Sequence, residues 1–192
     1  MTTLEIVVLR DKASERLFED PYRLASFYGA SEFLKMYGVE FSSLDVSSLT
    51  KAPEMLDKYC LCIAPDLEFI HPDTVEILKR WTEAGGILIA TGFFARKMPQ
   101  RPIEISTPPL SEYGADLFGI SEANITGNPE PDIGAYMNLS PTHKFFRDVR
   151  PLLPVLGVNP VLRGDEKSEK VGFLLDREER WAGDLVIVNR YG

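Results

Sequence analysis

The side chains best suited to chemistry cluster just after predicted strands. Asp66 and Glu68 follow the apolar run YCLCIA at residues 59–64, and Asp11 follows a second run at residues 4–9. Carboxylates at the carboxyl edge of a sheet can converge on one cleft. A pair about 5–10 Å apart is what glycoside hydrolysis uses, one as acid and the other as nucleophile or base. Arg10, Arg96, Lys97 and Arg101 fall on loops at the same predicted edge. With Thr91 and the backbone N–H groups after it, they could hold an anionic ligand. The ligand-binding set expected from the sequence is therefore Arg10, Asp11, Asp66, Glu68, Thr91, Phe93 and Arg96. The bland alternative is a set of solvated acidic loops and scattered basic surface charge.

Nucleophiles and metal ligands are scarce. The two cysteines, Cys60 and Cys62, lie in one predicted strand with both side chains on one face, roughly 6.5–7 Å apart, too far for a relaxed disulfide. With no histidine close in sequence, C-x-C also makes a weak metal site, so two small core residues are expected. Of the two histidines, His71 stands where a helix should start and His143 inside a predicted helix. There is no P-loop, no GxGxxG, no HExxH and no EF-hand loop in the sequence. No catalytic residue, metal or cofactor is assigned.

The elements that must position these residues centre on residues 59–92. Apolar runs at 59–64 and 87–91 flank one helical pattern that starts at Pro72 and stops at Gly85-Gly86. A strand, a helix of crossover length and a second strand make a βαβ unit, hence a parallel sheet with both runs buried. Val75, Leu78, Trp81 and Ala84 are expected on the helix face toward the sheet. Upstream, residues 4–9 form the first strand and residues 39–44 the second, followed by a Ser-rich link over 42–50. Between them Asp20-Pro21 reads as a helix start and Gly38 as its stop. Leu24, Phe27, Tyr28, Phe33, Leu34 and Tyr37 recur at helical spacing and read as its core stripe. Residues 10–19 contain no glycine. Flavodoxins wrap the FMN phosphate at that place with a Ser/Thr/Gly-rich loop, so this cofactor is not expected.

Beyond Gly92 the pattern loosens. Residues 96–109 hold four prolines and read as a lid or an excursion from the sheet. A short helix at 110–118, a turn-rich stretch at 121–132 and a helix from Ser140-Pro141 to about residue 150 follow. Residues 159–163, 170–176 and 184–189 read as antiparallel strands, with Glu178-Glu179-Arg180 at a hairpin tip. The last apolar run stops at Arg190-Tyr191-Gly192 with no return strand, which is expected of a piece of a longer chain.

A length of 192 residues suits one well-cored domain, and the whole chain is expected to be one. The formal charge of −8 argues against a general nucleic-acid binder, which needs a basic footprint. No run approaches the length of a membrane span, so neither nucleic acid nor membrane is an expected partner. The N-terminus lacks the basic and apolar regions of a secretory signal, so a cytoplasmic location is expected of the sequence as it stands. A secreted or periplasmic protein would need a leader outside it.

Several stretches together resemble the class I glutamine amidotransferase-like superfamily. Within it the chain is most similar to the trimerisation domain of family 42 β-galactosidases. Residues 21–44, ending in YGVEFSSLDV, are similar to the helix that leads into the second strand of that domain. YCLCIAP looks like its third strand, residues 72–91 like its helix, double glycine and following strand, and DLVIVNRYG like a closing strand. The resemblance covers most of the chain but rests on generic motifs. It implies a flavodoxin-like three-layer α/β sandwich with a mainly parallel sheet, extended by the C-terminal antiparallel strands.

Active members of the superfamily place a cysteine nucleophile just after the strand that follows the double glycine, with a His-Glu or His-Asp pair on later strands. Here that elbow is Thr91-Gly92-Phe93, and no acid follows His143 at the family spacing. ThuA-like sugar-utilisation proteins end the strand in histidine, where this chain has Ala90-Thr91. The resemblance therefore implies a non-catalytic accessory domain of a carbohydrate-active protein, serving oligomerisation or forming a cleft wall. Its expected partners are further copies or other domains of a parent chain, with a carbohydrate as possible ligand. The alternatives are a stand-alone sugar- or metabolite-binding protein or hydrolase using the acidic edge, and a regulatory homologue that binds a metabolite without turning it over.

Overall fold

In the computed structural model, which describes residues 5–12, 21–92, 94–95, 112–125, 135–155, 160–176 and 180–191, the chain divides into two compact units. The first comprises residues 1–113 with 191–192, and the second residues 114–190.

The first unit runs β1 (Ile6–Arg10), α1 (Pro21–Met36), β2 (Ser42–Asp45), α2 (Val46–Leu49), a 3₁₀ turn (Pro53–Leu56), β3 (Leu61–Pro65), α3 (Pro72–Glu83) and β4 (Ile87–Thr91). Its four strands pair in parallel in the order β2-β1-β3-β4. The expected βαβ unit is β3-α3-β4. Because β1 connects outward to β2 and β3 outward to β4, right-handed crossovers put α1 and α3 on opposite faces. Val7, Val8 and Leu9 are fully buried, as a central parallel strand requires. On one face Val8 and Ile63 pack with Phe27, Ala30 and Leu34 of α1. Val75, Leu78 and Trp81 are the buried ridge of α3, whereas Ala84 caps that helix and is exposed.

Two expectations for this unit are corrected. The aromatic residues of α1 do not all turn inward: Phe27 and Leu34 are buried, while Tyr28, Phe33 and Tyr37 are exposed and the side chain of Leu24 lies outside the described residues. At about 100° per residue, positions 27, 31 and 34 share one face, and 33 and 37 fall well off it. Strand β4 is also not the buried run expected, since Ile87 and Ile89 are both exposed. It is an edge strand, and its register with Leu61 and Ile63 puts those isoleucines on the face that α1 covers only over β1 and β3. The Ser-rich link contains β2 and α2, with Asp45 capping α2 by accepting the Ser47 N–H at 3.0 Å.

Ser31 lies on the buried face of α1, and its Oγ has no hydrogen-bond partner among the described residues. Replacing it by alanine removes an unsatisfied buried hydroxyl and improves helix propensity. Ser31→Ala is expected to raise stability by about 1 kcal/mol, read from urea unfolding. A destabilised variant would show that the hydroxyl has a partner after all.

Helix α4 (Glu112–Phe118) leads into the second unit, whose strands are β5 (Ile120–Ile125), β6 (Ala135–Leu139), β7 (Leu152–Val155), β8 (Pro160–Gly164), β9 (Glu169–Leu175) and β10 (Trp181–Val188). They form one antiparallel sheet in the order β5-β8-β10-β9-β6-β7. The antiparallel C-terminal strands are thus present, as a sheet of their own. The turn-rich reading of residues 121–132 is corrected in its first part, which is β5 paired with β8; residues 126–134 lie outside the description.

The helix expected from Ser140 to residue 150 is also corrected. The segment is three successive turns, closed by His143 N–H to Ser140 O, Phe146 N–H to His143 O and Val149 N–H to Phe146 O. It joins the antiparallel pair β6 and β7, and the Leu139 N–H donates to Pro151 O at 2.6 Å. Its ends must therefore meet, whereas a ten-residue helix would hold them about 15 Å apart. Strand β10 lies inside the sheet with β8 and β9 on either side. Residues 177–179 at the β9–β10 tip are not described.

Candidate functional site

The strand order places a topological switch point between β1 and β3, where ligands of open α/β sheets bind beyond the carboxyl ends. The residues ending the four strands are Asp45, Arg10, Pro65 with Asp66 after it, and Thr91. Arg10 pairs in register with Asp45, and its guanidinium lies over the rings of Phe27 and Tyr28, with centroids at 5.0 and 5.7 Å. Stacking of this kind holds a guanidinium in place at the strand end.

Asp66 is the most constrained residue of this edge. Its φ of +50° is left-handed, which a non-glycine residue adopts at an energetic cost that asparagine and aspartate bear best. The turn is held by Asp66 N–H to Thr91 O at 2.9 Å and Glu68 N–H to Asp66 O at 3.0 Å. The Ser26 hydroxyl of α1 donates to Asp66 Oδ2 at 3.5 Å. On the other side Gly92, with φ +65°, leaves room for Asp66: a Cβ there would lie 2.8 Å from Asp66 Oδ1.

Of the expected set, Arg10 ends β1 and Asp11 follows it, Asp66 follows β3, the neighbouring strand, and the Asp66 N–H donates to Thr91 O. Glu68 is turned into the protein and buried. Phe93 and Arg96 lie outside the described residues, as do Lys97, Arg101 and the whole of 96–109. Sequence reasoning missed Ser26, because a serine in a helical pattern carries no sign of the strand end it will reach. It also missed the αL geometry of Asp66, for which Asp following a strand and preceding an apolar Leu is only a faint signal.

His71 is the N-cap of α3, with Nδ1 accepting the Asp73 N–H at 3.3 Å. His143, expected in a helix, sits in a turn instead, and its Nε2 lies 3.5 Å from Glu169 Oε1 of β9. Its Nδ1 accepts the Phe145 N–H at 3.4 Å, so the neutral ring carries its proton on Nε2, toward Glu169. The two cysteines are free. Burial pushes the Cys62 thiol up from 9.0 to about 12, and the Cys60 thiol, just ahead of β3, donates to Glu5 O at 3.4 Å. One thiol is therefore expected to react with a disulfide reagent at pH 8, the second only on unfolding. A raised folded-state value means that the unfolded chain ionises first, so Cys62 should lower stability as pH rises above about 9. Two equally fast thiols would contradict this placement.

Among the described residues no group of three or more His, Cys, Asp or Glu side chains could hold a metal ion, and no helix is long and apolar enough to cross a membrane.

The chain has the α/β fold of class I glutamine amidotransferase-like proteins. It aligns over 97% of its length with a ThuA-like protein from Bacteroides uniformis, at 12% identity, covering 74% of that chain with a TM-score of 0.61. A β-galactosidase from Rahnella sp. R3 matches 98% of it at 15% identity and TM-score 0.68, and one from Halorubrum lacusprofundi 97% at 20% and 0.64. The chain spans only 27% and 26% of those two β-galactosidases. A glutamine amidotransferase from Thermotoga maritima aligns over the whole chain at 12% identity and TM-score 0.52. At these identities the likeness is one of fold alone. No protein-family model and no curated sequence matches the chain.

Proposed function

We propose that this chain is a non-catalytic, amidotransferase-like accessory domain of a carbohydrate-active protein, serving assembly or forming a wall of a substrate cleft. The observation that carries the reading is the open face of β4. Ile87 and Ile89 stand 59% and 45% exposed on an edge strand, on the face where α1 stops short. An apolar edge strand left open invites pairing or aggregation, and proteins normally cover it. A neighbouring domain or a further copy laid over β4 would complete the helix layer. The fold shared with part of two β-galactosidases supports a carbohydrate-active parent.

A second reading draws on the αL backbone of Asp66 beside Arg10 and Thr91, since strained residues cluster at binding sites. On it the domain binds a sugar or a small metabolite at the switch point. The ThuA-like relative, covered over 74% of its length, supports this alternative.

Light scattering of the 21.6 kDa chain across concentration separates the two. An assembly of two or more copies is expected. A monomer whose melting temperature rises with sugars, and whose rise is lost in Asp66→Asn, would transfer the reading to ligand binding.

A further inference from the structure

Helix α1 carries a second apolar surface, on the side away from the sheet. Phe33, Met36 and Tyr37 stand 58%, 73% and 66% exposed, and the Phe33 and Tyr37 rings contact each other at 4.8 Å. Phe33 and Met36 border a shallow groove that is completed by Gly29, Glu32 and Lys35. Gly29 sits in mid-helix, where glycine weakens the helix, and a Cβ there would meet nothing within 4 Å. The groove thus holds a hollow and two knobs one and two turns further along the same helix.

We infer that α1 is a self-association surface, pairing antiparallel with α1 of a second copy about a two-fold axis near residues 32–33. The partner is read from the groove itself. An isologous contact must be complementary to itself, and this one is. At a rise of about 1.5 Å per residue, the two-fold sets Met36 of each copy over Gly29 of the other, with the two Phe33 rings side by side at the centre. Glu32 and Lys35, paired with each other at 2.7 Å within one chain, come within reach of Lys35 and Glu32 of the second copy. A uniformly acidic or basic partner would instead meet one like charge. On a chain of net charge −8 this locally balanced face brings no net like charge into the contact.

Area sets the strength. The three exposed side chains offer on the order of 400 Å² per copy, taking roughly 200 Å² for each. Even with its rim this falls short of the roughly 800 Å² per partner of a standard interface, so a weak, concentration-dependent dimer follows. The inference rests on the assembly reading and adds to it the surface and the symmetry.

Sedimentation equilibrium from micromolar to millimolar protein tests it. The wild-type mass should climb toward twice 21.6 kDa, and Phe33→Glu and Met36→Glu should each weaken association at least tenfold with an unchanged circular dichroism spectrum. In a Cys60→Ser background, Glu32→Cys, which lies beside the two-fold axis, should give a disulfide-linked dimer on mild oxidation, with no such product from the background alone. Association that survives both glutamate variants and yields no Glu32→Cys cross-link would overturn the α1 pairing while leaving the assembly reading standing. A mass that climbs toward three copies would overturn the two-fold. A monomer at every concentration would overturn self-association through α1 altogether.

Discussion

Replacing Trp81 by alanine should lower the unfolding free energy by about 3–5 kcal/mol, near the upper end for a single core truncation. The indole lies on the buried ridge of α3, and its Nε1–H donates to Leu56 O at 3.1 Å, tying the helix to the turn before β3. Alanine would leave a cavity and remove the indole donor from Leu56 O, which would keep only the Tyr59 N–H at 2.9 Å. The same ring explains the double glycine. Gly85 turns the chain out of the helix at φ +104°, and a Cβ on Gly86 would lie 2.5 Å from the indole. Gly86→Ala must therefore displace Trp81, at about 1–3 kcal/mol. Urea unfolding followed by circular dichroism measures both variants. A neutral Gly86→Ala would mean that the indole moves freely, and the explanation of the second glycine would fail.

Gly92→Cys should lose about 1–2 kcal/mol of stability and gain no glutaminase activity. The substitution puts a thiol at the strand end where the sequence resemblance would place an amidotransferase nucleophile, but into a backbone that resists it. At φ +65° any Cβ is strained, and here it would meet Asp66 Oδ1 at 2.8 Å and Cγ at 3.2 Å. The carboxylate can swing aside, so the backbone strain is the larger part. A thiol beside a carboxylate is also held in its neutral, unreactive form. His71 does not supply a base, because its Nδ1 is engaged in capping α3. Ammonia release from glutamine and urea unfolding check the two halves. A Gly92→Cys variant that hydrolyses glutamine would show that the strand end lacks only a nucleophile and would overturn the strain argument.

Much of the first unit is legible from local pattern. The start of α3 at Pro72 with His71 as cap, its end at the double glycine and strand β4 over Ile87–Thr91 all follow from punctuation and periodicity that neighbouring residues carry themselves. The short helix ending at Gly119 and the antiparallel strands of the second unit are similarly local. The candidate site was legible only as residue types: Arg10, Asp11 and Asp66 are where strand ends predict them. That Glu68 turns inward, that Ser26 reaches Asp66 from α1 and that Asp66 adopts an αL backbone depend on partners 40 residues away or on turn closure.

By itself, then, the sequence determined where helices and strands of the first unit begin and end, and that they alternate into a parallel sheet. Proline, glycine and side-chain period act over a few residues and need no distant partner. Only the tertiary structure decided which apolar residues are covered. Phe27 and Phe33 look alike along the chain, yet one is buried under the sheet and the other faces outward. Ile87 and Ile89 read as core until β4 proves to be an edge, and residues 141–150 read as a helix until β6 and β7 demand that their ends meet. Burial and closure are properties of what lies opposite in space, and periodicity records the spacing of a stripe without recording what will cover it.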